Sequence, residues 1–423
     1  MRHSGQSGNH IAASLVAVLV LLGIATFINY VDRGNLSIAA PMLKDELAIS
    51  ASQLGLLLSA FFWTYACLQP LAGWLVDRYN VNWVFAGGFL LWSLATAATG
   101  AVHVFAALFA LRLLLGVGES VAYPSYSKII ATNFAEEHRG IANAAVSAGL
   151  VLGPGFGMLL GGALMARYGW RPFFIVLGLG SLLWLIPWIK FKPQQSASVR
   201  TDVGAAPTLA EFLQLRSAWG TCVGLFCSNY LSYFLITWLP FYLVRERQFT
   251  MDDMAKIGGA MYLMGAVCGM FAGWLSDRWI AAGGTTTRVR KTIAGGGLAL
   301  GGISLGVAAF CGSALTVALL IVGMIGFGIL SSNIWAITQT LAGPTAAGRW
   351  TGFQNFVGNL AGVVAPAVTG FVVDRTGHFA GAFLIVAGIS VIGTVCWVFV
   401  IGPIEQVQWH ERRQARTGAP HAL

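Results

Sequence analysis

Four ionisable side chains sit inside otherwise apolar runs of the chain: Asp32, Arg33, Arg112 and Glu119. A charge near the centre of a hydrocarbon layer costs upward of ~2.5 kcal/mol even on the lenient insertion scale, so its default reading is functional. All four precede residue 120, and their formal charges sum to zero. Asp32 and Arg33 are neighbours, about 100° apart on a helix, and so serve two directions. Arg112 and Glu119 are two turns apart, about 10 Å along one helix face, which lets them line one cavity at different depths. The alternative is a set of buried ion pairs that merely offset each other, although dispensing with all four charges would have been cheaper than burying them.

The residue types specify the chemistry. An arginine in a low-dielectric cavity presents a planar fork that matches a carboxylate through two hydrogen bonds. Arg33 is therefore read as the anchor for an anionic ligand, with Arg112 a second binding cation. A carboxyl among apolar groups holds a proton readily, because desolvation disfavours the ionised form. Glu119 is read as the proton carrier and Asp32 as a second one. Tyr30 and Tyr65 fit cavity walls with a polar tip, or plain helix packing. After residue 216 the span interiors contain no charge, but they carry Asn229, Tyr230, Ser232, Tyr233, Ser331, Ser332, Asn333, Trp335, Gln339, Asn355 and Asn359. Neutral donors and acceptors suit hydroxyls, and Ser332, Trp335 and Asn355 are taken as the ligand-facing set. For any one of them alone, an interhelical hydrogen bond is the competing explanation.

These residues need a scaffold that holds them in a membrane. Only 10% of the 423 residues are Asp, Glu, Lys or Arg, against roughly a quarter in soluble proteins. Mean hydropathy is +0.72. The apolar runs are unbroken and long enough to cross a ~30 Å hydrocarbon layer, which takes about 20 helical residues each. A soluble enzyme, a disordered chain and a disulfide scaffold are excluded, as is a β-barrel, whose strands would alternate apolar and polar residues. The fold class is an all-α polytopic membrane protein. Twelve spans are expected, near 12–40, 52–76, 82–101, 104–131, 140–166, 171–191, 217–244, 255–276, 290–312, 314–342, 349–373 and 379–402.

With both termini placed inside, sixteen of the 25 Lys and Arg fall on the cytoplasmic side and seven outside. That bias satisfies the positive-inside rule only in this orientation. The polar stretch between spans six and seven reads as a cytoplasmic linker. The expected organisation is a six-helix bundle over 1–191, a linker over 192–216, a second bundle over 217–402 and a cytoplasmic tail over 403–423. The halves repeat: Gly73-Trp74-Leu75-Val76-Asp77-Arg78 returns 200 residues later as Gly273-Trp274-Leu275-Ser276-Asp277-Arg278, with five of six identities. A glycine seam in span five, Gly149, Gly153, Gly157 and Gly161, is echoed in span eleven by Gly358, Gly362, Pro366 and Gly370. Small residues four apart let another helix approach closely.

Two six-helix halves, a linker and Gly-x-Leu-x-Asp-Arg in both the 2–3 and 8–9 loops resemble the major facilitator superfamily along essentially the whole chain. The resemblance implies parallel halves with a site between them near the midplane. It also implies a cytoplasmic latch, for which Asp77, Arg78, Asp277 and Arg278 are the candidates. Within span one, Tyr30-Val31-Asp32-Arg33 followed by Asn35 and Ser37 resembles the anion:cation symporters, which include proton-driven sugar-acid permeases and organic-anion carriers. Arg112-x3-Gly116-x2-Glu119 and Asn355-Phe356-x-Gly358-Asn359 resemble the same family. The resemblance supports the acid of span four and the acid beside the span-one arginine as protonation sites.

The six cysteines lie in or beside apolar runs without a CxxC pair and read as small core residues rather than as a disulfide or metal site. The net charge of +9 is scattered over short loops, which argues against a nucleic-acid partner. Gly302-Ile303-Ser304-Leu305-Gly306 matches GxSxG by chance, since no nucleophile elbow forms inside an apolar helix. No enzyme activity is expected, and no cofactor beyond a proton gradient. The expectation is thus proton-coupled symport of a small organic anion, a hydroxylated carboxylate such as a sugar acid, by a monomer in the cytoplasmic (inner) membrane. Export or anion exchange is the runner-up, because Gly140, Gly149, Gly153, Pro154 and Gly157 resemble the antiporter signature of drug-exporting relatives.

Overall fold

A computed structural model describes residues 13–133, 146, 149–150, 152–193 and 209–408. Among them there is no strand. Among the described residues ten helices are long and apolar enough to cross a membrane, and eleven when the bent pair Ala51–Cys67 and Gln69–Val76 counts as one span. The remaining expected span, near 140–166, begins outside the described residues, and its far end is the helix Gly162–Tyr168, entered through a π turn at Gly157–Gly161. Most of the expected linker and tail also lie outside the described residues.

Local chemistry sets the boundaries. The side chain of Asn80 accepts from the Asn82 amide and starts the third span, Val81–Thr99; Thr250 and Thr285 start spans eight and nine in the same way, each accepting from the amide three residues on. Span two bends by 45° just before Gln69-Pro70, where proline removes a backbone donor and clashes with the preceding turn. Helix runs from Ser313 to Thr376 except at Gly343, whose φ of 65° and ψ of 176° divide it into spans ten and eleven. That conformation is open to glycine and costly for residues with a Cβ.

The described residues form two compact units. One takes the chain up to Ala39 and again from Trp63 through span six; the other takes Ala40–Phe62 together with the chain after the linker. The grouping by contacts thus runs through spans one and two. The reason lies in contacts of the second unit. Ser52 Oγ donates to Asp374 Oδ2 at 2.8 Å, Arg245 Nη2 donates to the Pro41 carbonyl at 3.0 Å, and Arg245 also pairs with Asp45. The first unit is cored by Phe89, Trp92, Trp184 and Trp188, with Trp184 stacked on Phe89 and on Trp188 at 4.2 and 5.1 Å. Trp238, Trp350 and Trp397 are fully buried in the second unit. The exposed side chains include Val176, Leu183, Ile303, Val391 and Phe399, an apolar exterior that matches a hydrocarbon solvent.

Candidate functional site

The intramembrane charges of the first unit converge. Arg33 Nε donates to Glu119 Oε2 at 2.9 Å, with the two side chains 8% and 0% exposed. The Arg33 guanidinium lies over two aromatic rings: its central carbon is 4.8 Å from the Tyr30 centroid and 4.4 Å from that of Tyr65. Such contacts stabilise a cation by about 0.5–2 kcal/mol each, the upper end applying where water is excluded. Tyr30 and Arg33 are one turn apart on span one, while Tyr65 comes from span two and Glu119 from span four.

Asp32 is buried beside the Thr96 hydroxyl and in the field of Arg112. The charge of Arg112 acts on Glu119, Asp32 and Arg33 together. All four sequence-identified charges therefore belong to one network, and Tyr30 and Tyr65 line it. Sequence reasoning missed Tyr123, whose hydroxyl shares a 3.0 Å hydrogen bond with that of Tyr30, along with Thr96, and Asn29 beside Glu119. Tyr123 stood one turn beyond Glu119, a spacing that puts both on one face; Thr96 and Asn29 carried no signal beyond being polar in an apolar run.

The register of the first span depends on the glycine seam. A Cβ at Gly149 would lie 2.5 Å from the Gly23 carbonyl oxygen, and one at Gly153 would lie 2.6 Å from Tyr30 Cβ. Span five thus lies directly against the stretch of span one that presents Tyr30, Asp32 and Arg33. Gly140 is outside the described residues.

The second unit holds a neutral array. Phe226, Asn229, Tyr233 and Ile236 are half-exposed on an otherwise buried helix, so span seven turns one stripe away from its own packing. Tyr233 donates to Asn359 Oδ1 at 2.6 Å, and Asn359 Nδ2 donates to the Asn355 carbonyl at 2.8 Å and to Asn355 Oδ1 at 3.0 Å. With Oδ1 engaged in this way, the Asn355 amide has N–H groups to offer a ligand oxygen. The Tyr233 ring packs on Phe62 at 4.4 Å. Trp335 is 39% exposed. Asn333 is a packing residue, accepting from Ser276 Oγ at 2.9 Å. The side chain of Ser332 lies outside the described residues.

Of the loop motifs, Arg78 is exposed at the end of span two, and the Asp77 side chain lies outside the described residues. In the second copy Arg278 lies 5.3 Å over the Trp274 ring. The charge of Asp277 instead reaches Arg290, which donates to the Ala336 carbonyl at 2.7 Å. Among the described residues no group of His, Cys, Asp and Glu is arranged to hold a metal ion.

Comparison with known proteins fits this architecture. Residues 22–366 match the family model described as Major Facilitator Superfamily. The hexuronate transporter of Bacillus subtilis strain 168 is 30% identical over 400 residues, covering 92% of this chain and 94% of that protein. A probable galactarate/D-glucarate transporter of Escherichia coli K12 is 28% identical, covering 92% and 94%. A probable sulfoacetate transporter of Cupriavidus necator is 29% identical, covering 90% and 93%. The crystal structure of a bacterial homologue of the human lysosomal transporter Spinster, inward-facing and occupied, superposes with a TM-score of 0.79 at 17% identity, covering 92% of this chain and 97% of that one. With helical spans along the chain, the family model matched over residues 22–366 and transporters as its relatives, the chain belongs to the major facilitator superfamily and is a multi-pass membrane transporter rather than an enzyme.

Proposed function

We propose that this transporter takes up a small organic anion, a hydroxylated carboxylate such as a sugar acid, by proton-coupled symport and alternating access. The observation that carries this reading is the Arg33–Glu119 pair, with the Arg33 guanidinium over the rings of Tyr30 and Tyr65. Arg33 has a carboxylate partner within the protein, and a substrate carboxylate competes for the same fork. Protonation of Glu119 discharges that partner and frees the fork, so proton and anion bind together. Hydrogen bonds involving a charged group contribute about 1.5–3 kcal/mol, enough to couple the two events. Asp32 and Arg112 form the second acid–base set, with Asp32 able to take a further proton. Asn355, Ser332 and Trp335 are assigned to the substrate's hydroxyls, in keeping with relatives named for hexuronate and for galactarate and D-glucarate.

The protein is placed in the cytoplasmic (inner) membrane with both termini inside, on the lysine and arginine bias of its loops. It works as a monomer with the proton gradient as its energy source and no cofactor. Asp77, Arg78, Asp277 and Arg278 are assigned to a latch on the cytoplasmic side.

The test is uptake of labelled glucuronate, galacturonate and galactarate into vesicles, with and without an imposed inward proton gradient. Symport predicts accumulation that collapses with a protonophore. Gradient-independent uptake that is stimulated by unlabelled anion inside supports the alternative, an exchanger or exporter, which Gly149, Gly153 and Gly157 favour.

A further inference from the structure

A groove of about 370 Å³ runs along the second unit between span nine (Thr286–Ala308) and span twelve (Ala380–Val400). Its mouth carries Arg288 and Lys291, one turn apart, and its wall is made by Gly295, Gly296, Thr394 and Val398. Two glycines shape it differently. A Cβ at Gly295 would lie 2.3 Å from Val398 Cγ2, so that glycine lets the two helices close beneath the groove. Gly296 has nothing within 4 Å of its Cβ position, and this open space is the groove itself.

The cations at the mouth are clustered. Lys291 Nζ donates to the Val398 carbonyl at 2.7 Å, and Arg216 from span seven reaches the neighbouring Phe399 carbonyl at 3.4 Å. Lys291 lies in the field of Arg216. Among the described residues none of the three has a carboxylate partner. Of the acids in this part of the fold, Asp277 acts on Arg290, and Glu405 follows Ile404, whose amide donates to Thr287 Oγ1 at 2.9 Å, without forming an ion pair with any of the three. Cations gathered without an ion-pair partner disfavour one another, and an anion from outside relieves the repulsion. Around the groove the exposed side chains are apolar: Ile303, Val391, Val395 and Phe399 are 44–67% exposed.

From this geometry we infer a binding site for an anionic diacyl phospholipid, its phosphate between Arg288 and Lys291 and one acyl chain along the Gly296 wall. A soluble phosphate would use the cations but gain nothing from the apolar wall, whereas a lipid uses both. The wall opens sideways onto an apolar surface, which is where an acyl chain arrives from the bilayer. Assignment to the cytoplasmic leaflet follows from the orientation proposed above; the chemistry of the site does not depend on it.

The experiment uses the full-length protein purified in detergent, titrated separately with phosphatidylglycerol, phosphatidylcholine and sn-glycerol 1-phosphate, and read by native mass spectrometry and thermal denaturation. Phosphatidylglycerol should remain bound and raise the melting temperature, while phosphatidylcholine and glycerol phosphate should do neither. Arg288→Gln combined with Lys291→Gln should weaken phosphatidylglycerol binding at least tenfold. Gly296→Phe, whose Cβ enters open space and whose ring occupies the groove, should abolish binding while the lipid-free melting temperature stays within a few degrees. Equal retention of the zwitterionic lipid, protection by glycerol phosphate as strong as by the lipid, or undiminished binding in either variant overturns the proposal. If Gly296→Phe proves unstable, Arg288→Gln alone decides, because Arg288 lines the groove and, among the described residues, its side chain makes no hydrogen bond to the packed helices.

Discussion

Arg33 Nε donates to Glu119 Oε2 across 86 positions of sequence, and the guanidinium lies over the rings of Tyr30 and Tyr65. Removing either partner of a buried pair leaves the other uncompensated, a far larger cost than loss of a surface ion pair. A transporter can use such a pair when another carboxylate, or a proton, arrives to replace the missing half.

Replacing Arg33 by Lys should damage transport nearly as much as replacing it by Ala. An ammonium is a point charge and cannot reproduce the planar fork or its contacts with two rings. The expected loss is about 1.5–3 kcal/mol of binding free energy, roughly 10- to 150-fold in affinity. Competition binding of a carboxylate ligand measures it, and near-normal affinity in Arg33→Lys removes the anchor role.

Glu119→Gln should behave as a permanently protonated carrier. Accumulation against a gradient should fail, substrate counterflow should persist, and the pH dependence of binding should flatten. Counterflow and gradient-driven uptake measured in the same vesicles separate these outcomes. A variant that still concentrates substrate in a pH-dependent way transfers the coupling role to Asp32.

Gly153→Ala should lower thermal stability and impair binding together, because its methyl would lie 2.6 Å from Tyr30 Cβ. Overpacking of this kind costs about 1–3 kcal/mol. Gly87→Ala is the control, since nothing lies within 4 Å of its Cβ position. Equal melting temperatures for the two variants would contradict the close packing of span five on span one.

Asn355→Ala should weaken hydroxylated acids by about 0.5–1.5 kcal/mol and leave proton coupling intact, as expected for loss of a neutral hydrogen bond. Tyr233→Phe should have a smaller effect in the same direction, since it loosens Asn359 and, through it, Asn355. Competition by acids that differ only in hydroxyl number provides the readout. A hydroxyl-free acid weakened as strongly as a sugar acid by Asn355→Ala would reassign that residue to the carboxylate.

What the sequence determined by itself was the set of residues that must matter and the solvent they sit in. Hydropathy belongs to residues and their chain neighbours, so the apolar spans, the repeat of Gly73–Arg78 at Gly273–Arg278 and the charges at Asp32, Arg33, Arg112 and Glu119 were legible directly. Which acid meets which base was not. Spacing along span four paired Arg112 with Glu119 on one face, but the hydrogen bond of Glu119 goes to Arg33 on another helix. That choice depends on how each helix is rotated about its axis, and rotation is fixed by packing such as that of Gly149 and Gly153 against span one. For the same reason Tyr123 and Thr96 joined the network only in three dimensions. The interruption at Gly343 and the grouping of Ala40–Phe62 with the second unit are likewise tertiary outcomes, because a glycine's backbone angles and a helix's partners are set by what surrounds them.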